Sequence, residues 1–239
     1  MKRILTAAAA LLVLTGCGFE LDATPVRSTQ TFPLTSTRLT ITSGLGALRI
    51  SQGSANQVVV TRWLRGKAAN DNSWALKDGT LALTARCQLV FGDCGAEYAI
   101  NVPPGVELVV EAGDDPVSVS SLSQRVAVTT TGGTIKVNGG SGQLRLLSKD
   151  GAIHAEGITS SEVRARTSDG EILLAFATPP TNVDALSREG RVITTVPDAP
   201  YKVTVSSKYG KATSDVKQTG DGRTIIAKSI DGNVRVSNR

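Results

Sequence analysis

Hydrophobic and polar positions recur with a period of about twenty residues through the second half of the chain. Glycines mark this repeat, and neighbouring marker glycines stand 18 to 22 residues apart. The markers are Gly133, Gly151, Gly170, Gly190, Gly210 and Gly232. A fixed period of this length is typical of repeat proteins, in which each repeat is one structural unit stacked on the next.

The positions around each glycine predict two strands joined by a corner. Apolar residues stand seven and five positions before the glycine and two positions after it, as Val126, Val128 and Ile135 do around Gly133. A two-residue step of this kind is the period of a β-strand. A hydroxyl residue stands three positions before every marker glycine, and we expect it to face the inside of the corner. These residues are Thr130, Ser148, Thr167, Ser187, Ser207 and Ser229.

The corners themselves carry a turn signal. The residue before the glycine is acidic in four repeats, as Asp150, Asp169, Glu189 and Asp231. Asp-Gly favours a turn because glycine adopts positive φ freely and aspartate tolerates it, so the six glycines are predicted as turn residues. Looser copies of the pattern surround Gly46, Asp115-Pro116 and Asp78-Gly79, and the last of these places Leu81 and Leu83 after its corner.

Two all-β architectures fit this pattern. Asp-Gly between alternating strands is also a strong hairpin signal, so an antiparallel β-sandwich is the alternative. Agreement of whole columns favours a parallel β-solenoid of about 20-residue repeats, because stacked repeats bring like residues together. We predict such a solenoid over residues 38–239, with 38–107 as a less regular capping part and 108–239 as regular repeats. The Cys87–Cys94 loop and the terminal Ser237–Arg239 are expected to protect its end strands from edge pairing.

The beginning of the chain predicts export. Lys2 and Arg3 precede an uncharged, Ala- and Leu-rich run that ends at Gly16, which is the layout of a secretory signal peptide over residues 1–16. The run is too short for a permanent membrane span. Residues 17–37, rich in Thr, Ser and Pro, are expected to form a tether.

The sequence Leu14-Thr15-Gly16-Cys17 resembles the lipobox of bacterial lipoproteins. The resemblance implies that Cys17 is lipid-modified after cleavage of the signal, with several acyl chains holding the protein on the extracytoplasmic face of the cell membrane. The alternative is an ordinary cleaved signal followed by an unrelated cysteine. With Cys17 assigned to lipid, Cys87 and Cys94 remain as a pair in a non-reducing compartment, which predicts a disulfide. A metal site is the competing interpretation, and a single histidine without CxxC spacing disfavours it.

Charge and candidate chemistry give no signal for an enzyme. Removing Lys2 and Arg3 with the signal leaves 24 basic against 21 acidic residues, and aromatic residues are only 4% of the chain. Nucleic-acid binding needs a clustered basic face with interleaved aromatics and is not predicted. His154 follows Ile153 on the opposite strand face, so we expect a solvated surface histidine rather than part of a catalytic triad.

Two further groups of residues have a structural interpretation. Asp150, Asp169 and Asp231 are interpreted as turn residues, because a calcium site needs six or more converging oxygens and a glycosidase needs a carboxylate pair. Trp63, Trp74 and Tyr98 are interpreted as core aromatics, with a carbohydrate or peptide contact as the alternative. We therefore predict no catalytic residue, no metal and no cofactor.

The corner motif resembles that of the DUF4097-type family of exported, adhesin-like β-strand-repeat proteins. Here the motif stands as Ser148–Gly151, Thr167–Gly170, Ser187–Gly190 and Ser229–Gly232, and the segment Cys87–Gly105 resembles the one that precedes the repeats in that family. The resemblance covers about residues 38–239 and implies a β-repeat fold without catalytic residues.

The function expected from these observations is a lipid-anchored protein of the cell envelope with a non-enzymatic, adhesin-like binding or scaffold body. Its partner would be a cell-wall polymer or an envelope protein, and not a nucleic acid. Two alternatives stay open at this point. One is an enzyme that acts on envelope polysaccharide, and the other is an accessory protein of an envelope stress-sensing system.

Overall fold

The computed structural model describes residues 23–87, 93–220 and 222–239, and strands make up most of them. The first strands are β1 (Val26–Pro33), β2 (Arg38–Ser43), β3 (Ala47–Gln52), β4 (Gln57–Gly66), β5 (Asn72–Lys77), β6 (Thr80–Ala85) and β7 (Cys94–Val102). The next are β8 (Glu107–Ala112), β9 (Val117–Ser120), β10 (Val126–Thr130), β11 (Ile135–Asn138), β12 (Leu144–Ser148), β13 (Ile153–Ile158) and β14 (Glu162–Arg166). The last are β15 (Ile172–Phe176), β16 (Asn182–Leu186), β17 (Val192–Val196), β18 (Tyr201–Ser207), β19 (Ala212–Ser214), β20 (Arg223–Ser229) and β21 (Val234–Asn238). A short 3-10 turn, Lys67–Ala69, follows β4.

The strands form two sheets that enclose one core. Sheet A has the order β1-β4-β7-β3-β9-β11-β13-β15-β17-β21-β19, and sheet B has the order β18-β20-β16-β14-β12-β10-β8-β2-β6-β5. Each repeat contributes one strand to sheet B and the next to sheet A, and neighbouring repeats pair in parallel. The predicted parallel solenoid is therefore confirmed, and each two-strand repeat is one rung of the stack.

The predicted apolar columns form the core. Leu144 pairs in register with Val126 on one side and Val163 on the other, and all three side chains are buried. Ile153 is placed in the same way within the corresponding column of sheet A. Burying one such side chain stabilises a fold by about 1.5–3 kcal/mol, so the repeated columns provide the main driving force for stacking.

The C-terminal rungs stack out of sequence order. The β20–β21 rung lies between the β16–β17 rung and the β18–β19 rung, so β18 and β19 form the end of the stack. The expectation that Ser237–Arg239 protects the end is therefore wrong. The physical reason is apolar content. The inserted rung has Ile225, Val234 and Val236 at its inward positions, whereas the end rung has Val203, Ala212 and Ser214 at the equivalent positions.

The other end of the stack also departs from sequence order. The β2–β3 rung is regular and lies between the β8–β9 and β6–β7 rungs, while β4 and β1 extend sheet A and β5 extends sheet B by antiparallel pairing. The predicted tether is too long, because Val26–Pro33 is a strand of the folded body. Phe32 and Leu34 are buried, and the Phe32 ring packs edge-on against Trp74 with centroids 6.2 Å apart.

The prediction that Asp78-Gly79 forms a corner of the repeat is wrong. Both residues have positive φ, 49° and 75°, and they form the hairpin turn between β5 and β6. Leu81 pairs with Ile41, so it lies before a corner rather than after one. The corner of this rung instead contains the disulfide Cys87–Cys94, with Cα atoms 5.8 Å apart. The edges at this end are β1 and β5, so the disulfide is not the end protection expected from the sequence.

The signal peptide and Cys17 lie outside the described residues. In the part of the chain that the structure describes, no helix is long and apolar enough to cross a membrane.

Candidate functional site: a trough on the outer face of sheet B

The hydroxyl column forms a hydrogen-bonded ladder inside the corners, as predicted. The Ser187 hydroxyl accepts from the Gly190 N–H at 2.9 Å and donates to the Gly170 carbonyl of the neighbouring rung at 2.9 Å. Ser229 makes the same two bonds with Gly232 and Gly190, each at 2.9 Å. The hydroxyls therefore satisfy the backbone of the corners and link adjacent rungs.

The marker glycines lie at the corners, but the reason given for them from the sequence is wrong. None of them is among the glycines with positive φ. A Cβ built on Gly170 would lie 2.2 Å from the carbonyl oxygen of Gly151, and one on Gly190 would lie 2.0 Å from that of Gly170. Glycine is required here because adjacent rungs approach too closely for any side chain, and the corners are structural.

His154 lies on the outer face of sheet A, beside Glu171 of the next rung. Its Nε2 is 2.9 Å from Glu171 Oε1, and its side chain is 29% exposed. Partial burial alone would raise the pKa of the Glu171 carboxyl, but hydrogen bonds from Arg191 and His154 outweigh it and hold that pKa below its usual range. The histidine is thus paired with a carboxylate that is itself bound to arginine, as part of an ion-pair network on the outer face of sheet A.

The corner aspartates do not converge. Asp150 lies 3.6 Å from Lys149, Asp169 lies 3.3 Å from Arg188, and both carboxylates are exposed. Among residues 23–87, 93–220 and 222–239, no group of three or more His, Cys, Asp or Glu side chains is placed to hold a metal ion. These carboxylates form surface ion pairs along the stack.

Two of the three aromatic residues pack at the β1 end of the core. Tyr98 is buried, and Trp74 is partly buried beneath Arg62, whose Cζ lies 3.8 Å from the ring centroid. Burial raises the pKa of the Tyr98 hydroxyl, and the charge of Arg62 opposes this effect. Trp63 lies on the outer face of sheet A with Arg27 5.8 Å from its ring centroid. Only Trp63 departs from the predicted core position.

A trough of about 640 Å³ lies on the outer face of sheet B. It crosses six consecutive strands, from β2 through β8, β10, β12 and β14 to β16, near the beginning of each strand. Its charged lining residues are Arg38, Arg125, Arg145, Arg164, Glu107, Glu162 and Asp184. The trough is open and shallow, so it can accommodate an extended ligand rather than enclose a small one.

Two guanidinium groups stand side by side in this trough. Arg145 of β12 pairs in register with Arg164 of β14, and like charges directly opposite each other on neighbouring strands are destabilising. Asp184 lies on the other side of Arg164, 3.3 Å from its Nε, and accepts a hydrogen bond from Arg166 Nη2 at 2.6 Å. Arg164 and Arg166 thus share a single carboxylate, that of Asp184.

The remaining arginines of the trough are not neutralised. Within the described ranges, Arg38, Arg125 and Arg145 have no recorded carboxylate at ion-pair distance, while Glu162 accepts a hydrogen bond from Gln143 at 2.7 Å. Four arginines thus face three carboxylates in the lining. The trough therefore carries a row of four arginines, three of them without an ion-pair partner among the described residues, with carboxylates between them.

The sequence interpretation missed this trough because it followed the inward-facing columns. The outward column six positions before the marker glycines contains Ala127, Arg145, Arg164 and Asp184. Two arginines at equivalent positions of consecutive repeats would have predicted a like-charge ladder on one face.

Comparisons with known proteins were made for both sequence and structure. A family model described as Toastrack DUF4097 matches residues 105–238. No curated protein matches the sequence at a significant level. The fold is similar to that of a candidate adhesin from Parabacteroides distasonis, at 14% identity over 92% of this chain and 99% of that chain, with a TM-score of 0.52.

Two further solved structures show weaker likeness. A candidate adhesin from Parabacteroides merdae is 13% identical over 89% of this chain and 96% of that chain, with a TM-score of 0.49. A candidate lipid-binding protein from Parabacteroides distasonis is 14% identical over 89% and 96% of the two chains, with a TM-score of 0.44. At these identities the likeness concerns the fold alone.

Proposed function

The chain belongs to the Toastrack DUF4097 family, and on that basis we propose that it is a lipid-anchored, adhesin-like protein of the cell envelope. Its β-repeat body binds a partner through an outer sheet face and catalyses no reaction. The observation that carries this proposal is the trough of sheet B, an open surface built on rigid, paired strands. The name given to the Parabacteroides distasonis relative agrees with a binding role.

The charged groups of the trough favour binding over catalysis. General acid and base catalysis needs carboxylates that are free to exchange protons with a substrate. Asp184 is instead bound by Arg166 and lies beside Arg164, and Glu162 is bound by Gln143. Side chains held in this way position a ligand by charge and hydrogen bonding.

The proposed anchor is Cys17, because of the lipobox-like sequence that ends there. Strand β1 begins at Val26, nine residues later. An extended chain spans at most about 3.3–3.6 Å per residue, so the β1 end of the stack would lie within about 30 Å of the membrane.

Intact mass and membrane fractionation of the wild-type chain beside a Cys17→Ala variant test the anchor. We expect acyl mass and membrane association for the wild type and neither for the variant. Binding is tested separately by sedimenting the purified full chain with washed, insoluble cell-envelope material. An unmodified Cys17 would contradict the anchor, and failure to sediment with the envelope would contradict the binding role.

A further inference from the structure

The charged residues that line the trough of sheet B are four arginines and three carboxylates, so the trough favours a negatively charged ligand. Arg145 and Arg164 stand in register on adjacent strands, and Arg38, Arg125 and Arg145 have no carboxylate at ion-pair distance among the described residues. A like-charge pair on adjacent strands is unfavourable. An anion bound between these side chains would remove this penalty, since guanidinium groups bind carboxylates and phosphates through paired donors.

The shape of the trough indicates a polymer. Six adjacent strands about 4.8 Å apart give it a length of about 24 Å. Its arginines stand on β2, directly before β10, and on β12 and β14, so their charges are distributed along that length. A single small anion would engage one pair of arginines and leave the others unpaired, whereas a polymer with regularly spaced charges can engage all of them.

The carboxylates between the arginines indicate the chemical class of the polymer. Glu107 lies between Arg38 and Arg125 in the ladder of neighbouring strands, and Glu162 and Asp184 lie near Arg164. A densely charged polyanion would be repelled by these groups. A ligand that alternates carboxylates with hydroxyl groups matches them, because its hydroxyls can donate to Glu107 and Glu162 while its carboxylates accept from the arginines.

Peptides and nucleic acids match less well. The trough lies on the face of a paired sheet, whose backbone groups are already used in the ladders, so it offers no free edge to an extended peptide. No aromatic residue is among its lining residues, although base stacking on aromatics is the usual feature of single-stranded nucleic-acid sites. We propose that the trough of sheet B binds an acidic polysaccharide, an inference that rests on the proposed function and names its ligand class.

The direct test measures binding of polygalacturonate to the purified full chain. The same polymer after methyl esterification is the matched ligand control, because it keeps the backbone and most hydroxyls but loses the charges. We expect the ester to bind at least about tenfold more weakly, and binding of the free acid to weaken as salt is raised. Equal binding of acid and ester would overturn the inference. Tighter binding of a polyol phosphate polymer would overturn the choice of carboxylate.

Variants of the chain locate the site. The double variant Arg145→Gln/Arg164→Gln is expected to lose about tenfold or more in affinity, since each arginine supplies a charge-assisted hydrogen bond. The double variant Arg49→Gln/Arg235→Gln removes the same two charges from the outer face of sheet A, at exposed side chains, and should bind as the wild type does. Equal losses in both variants would show a non-specific charge effect and contradict the assignment.

Substitution of Glu107 separates a polysaccharide from a bare polyanion. Glu107→Leu makes the trough more positive, so a bare polyanion would bind more tightly. A polysaccharide whose hydroxyl donates to Glu107 would bind several-fold more weakly, which is the expected result. Circular dichroism of each variant establishes that the sheets are intact.

Sedimentation with envelope material distinguishes failure of the proposed binding function from failure of the proposed acidic-polysaccharide ligand. If the wild type sediments and the Arg145→Gln/Arg164→Gln variant does not, both stand. If both proteins sediment equally, the trough is not the binding site and the acidic polysaccharide is rejected while the binding role remains. If neither sediments, the proposed function itself fails.

Discussion

The hydroxyl ladder predicts a specific loss of stability on substitution of Ser187. This side chain is only 1% exposed, and its Oγ accepts from the Gly190 N–H and donates to the Gly170 carbonyl at 2.9 Å each. Ser187→Ala leaves both backbone groups without that partner. A buried polar group left unpaired costs about 1–3 kcal/mol, and the corner adjoins solvent, so we take the lower end for each group. The expected loss is about 2 kcal/mol in the free energy of unfolding.

Urea unfolding followed by far-ultraviolet circular dichroism measures this loss. With a dependence on urea of about 2 kcal/mol per molar, the midpoint of Ser187→Ala should fall by about 1 M. Ser187→Thr is the conservative control, because Thr167 makes the equivalent bonds in its own corner, accepting from the Gly170 N–H at 3.3 Å and donating to the Gly151 carbonyl at 3.0 Å. Ser206→Ala removes an exposed hydroxyl of the end strand and should change stability by less than about 0.5 kcal/mol. A wild-type midpoint for Ser187→Ala would refute the stabilising role of the ladder.

Three further predictions follow from the same contacts. Gly170→Ala should destabilise the fold by about 1–3 kcal/mol by overpacking, whereas Gly220→Ala, with open space around it, should be nearly neutral in urea unfolding. Arg145→Thr should raise stability by about 0.2–1 kcal/mol by removing the charge opposite Arg164, and a loss would contradict the like-charge interpretation. Because the folded-state pKa of Glu171 is lowered, its stabilising contribution is full above its unfolded pKa and is lost as pH falls through the folded pKa. Glu171→Gln should therefore flatten acid unfolding curves below about pH 4.5, and an unchanged curve would reject this assignment.

The repeat columns allowed the parallel stack to be predicted from the sequence, because stacking requires an apolar side chain at every inward strand position. Val126, Leu144 and Val163 are equivalent in sequence for the same reason that they are neighbours in space. The order of the rungs could not be predicted in this way. It depends on which rung buries more apolar surface, and the exposed Ala212 in a column of isoleucine and valine was the available sign that β18–β19 lies at the end.

Two other differences between the sequence prediction and the structure concern the Asp78-Gly79 turn and strand β1. The sequence of Asp78-Gly79 resembles that of a corner, but both of its residues have positive φ, as in a hairpin turn, whereas the marker glycines do not. At the regular corners glycine is needed because the backbone of the adjacent rung leaves no room for a side chain. An Asp-Gly sequence alone does not distinguish this role from that of a turn residue with positive φ. Strand β1 was missed because its Thr-rich sequence resembles a tether, and only Phe32 and Leu34 provide buried contacts.

The same division between inward and outward columns explains how a stack of this kind can acquire a binding site. Inward positions and corners are restricted by packing and by the hydroxyl ladder, so they repeat. Outward positions such as 145 and 164 are free of that restriction, and they can accumulate like charges that a less rigid structure would separate. The ladder holds adjacent rungs in register through Ser187 and its equivalents, and therefore holds Arg145 and Arg164 together despite their repulsion. A site prepared in this way gains affinity because its donors are already in place before the ligand arrives.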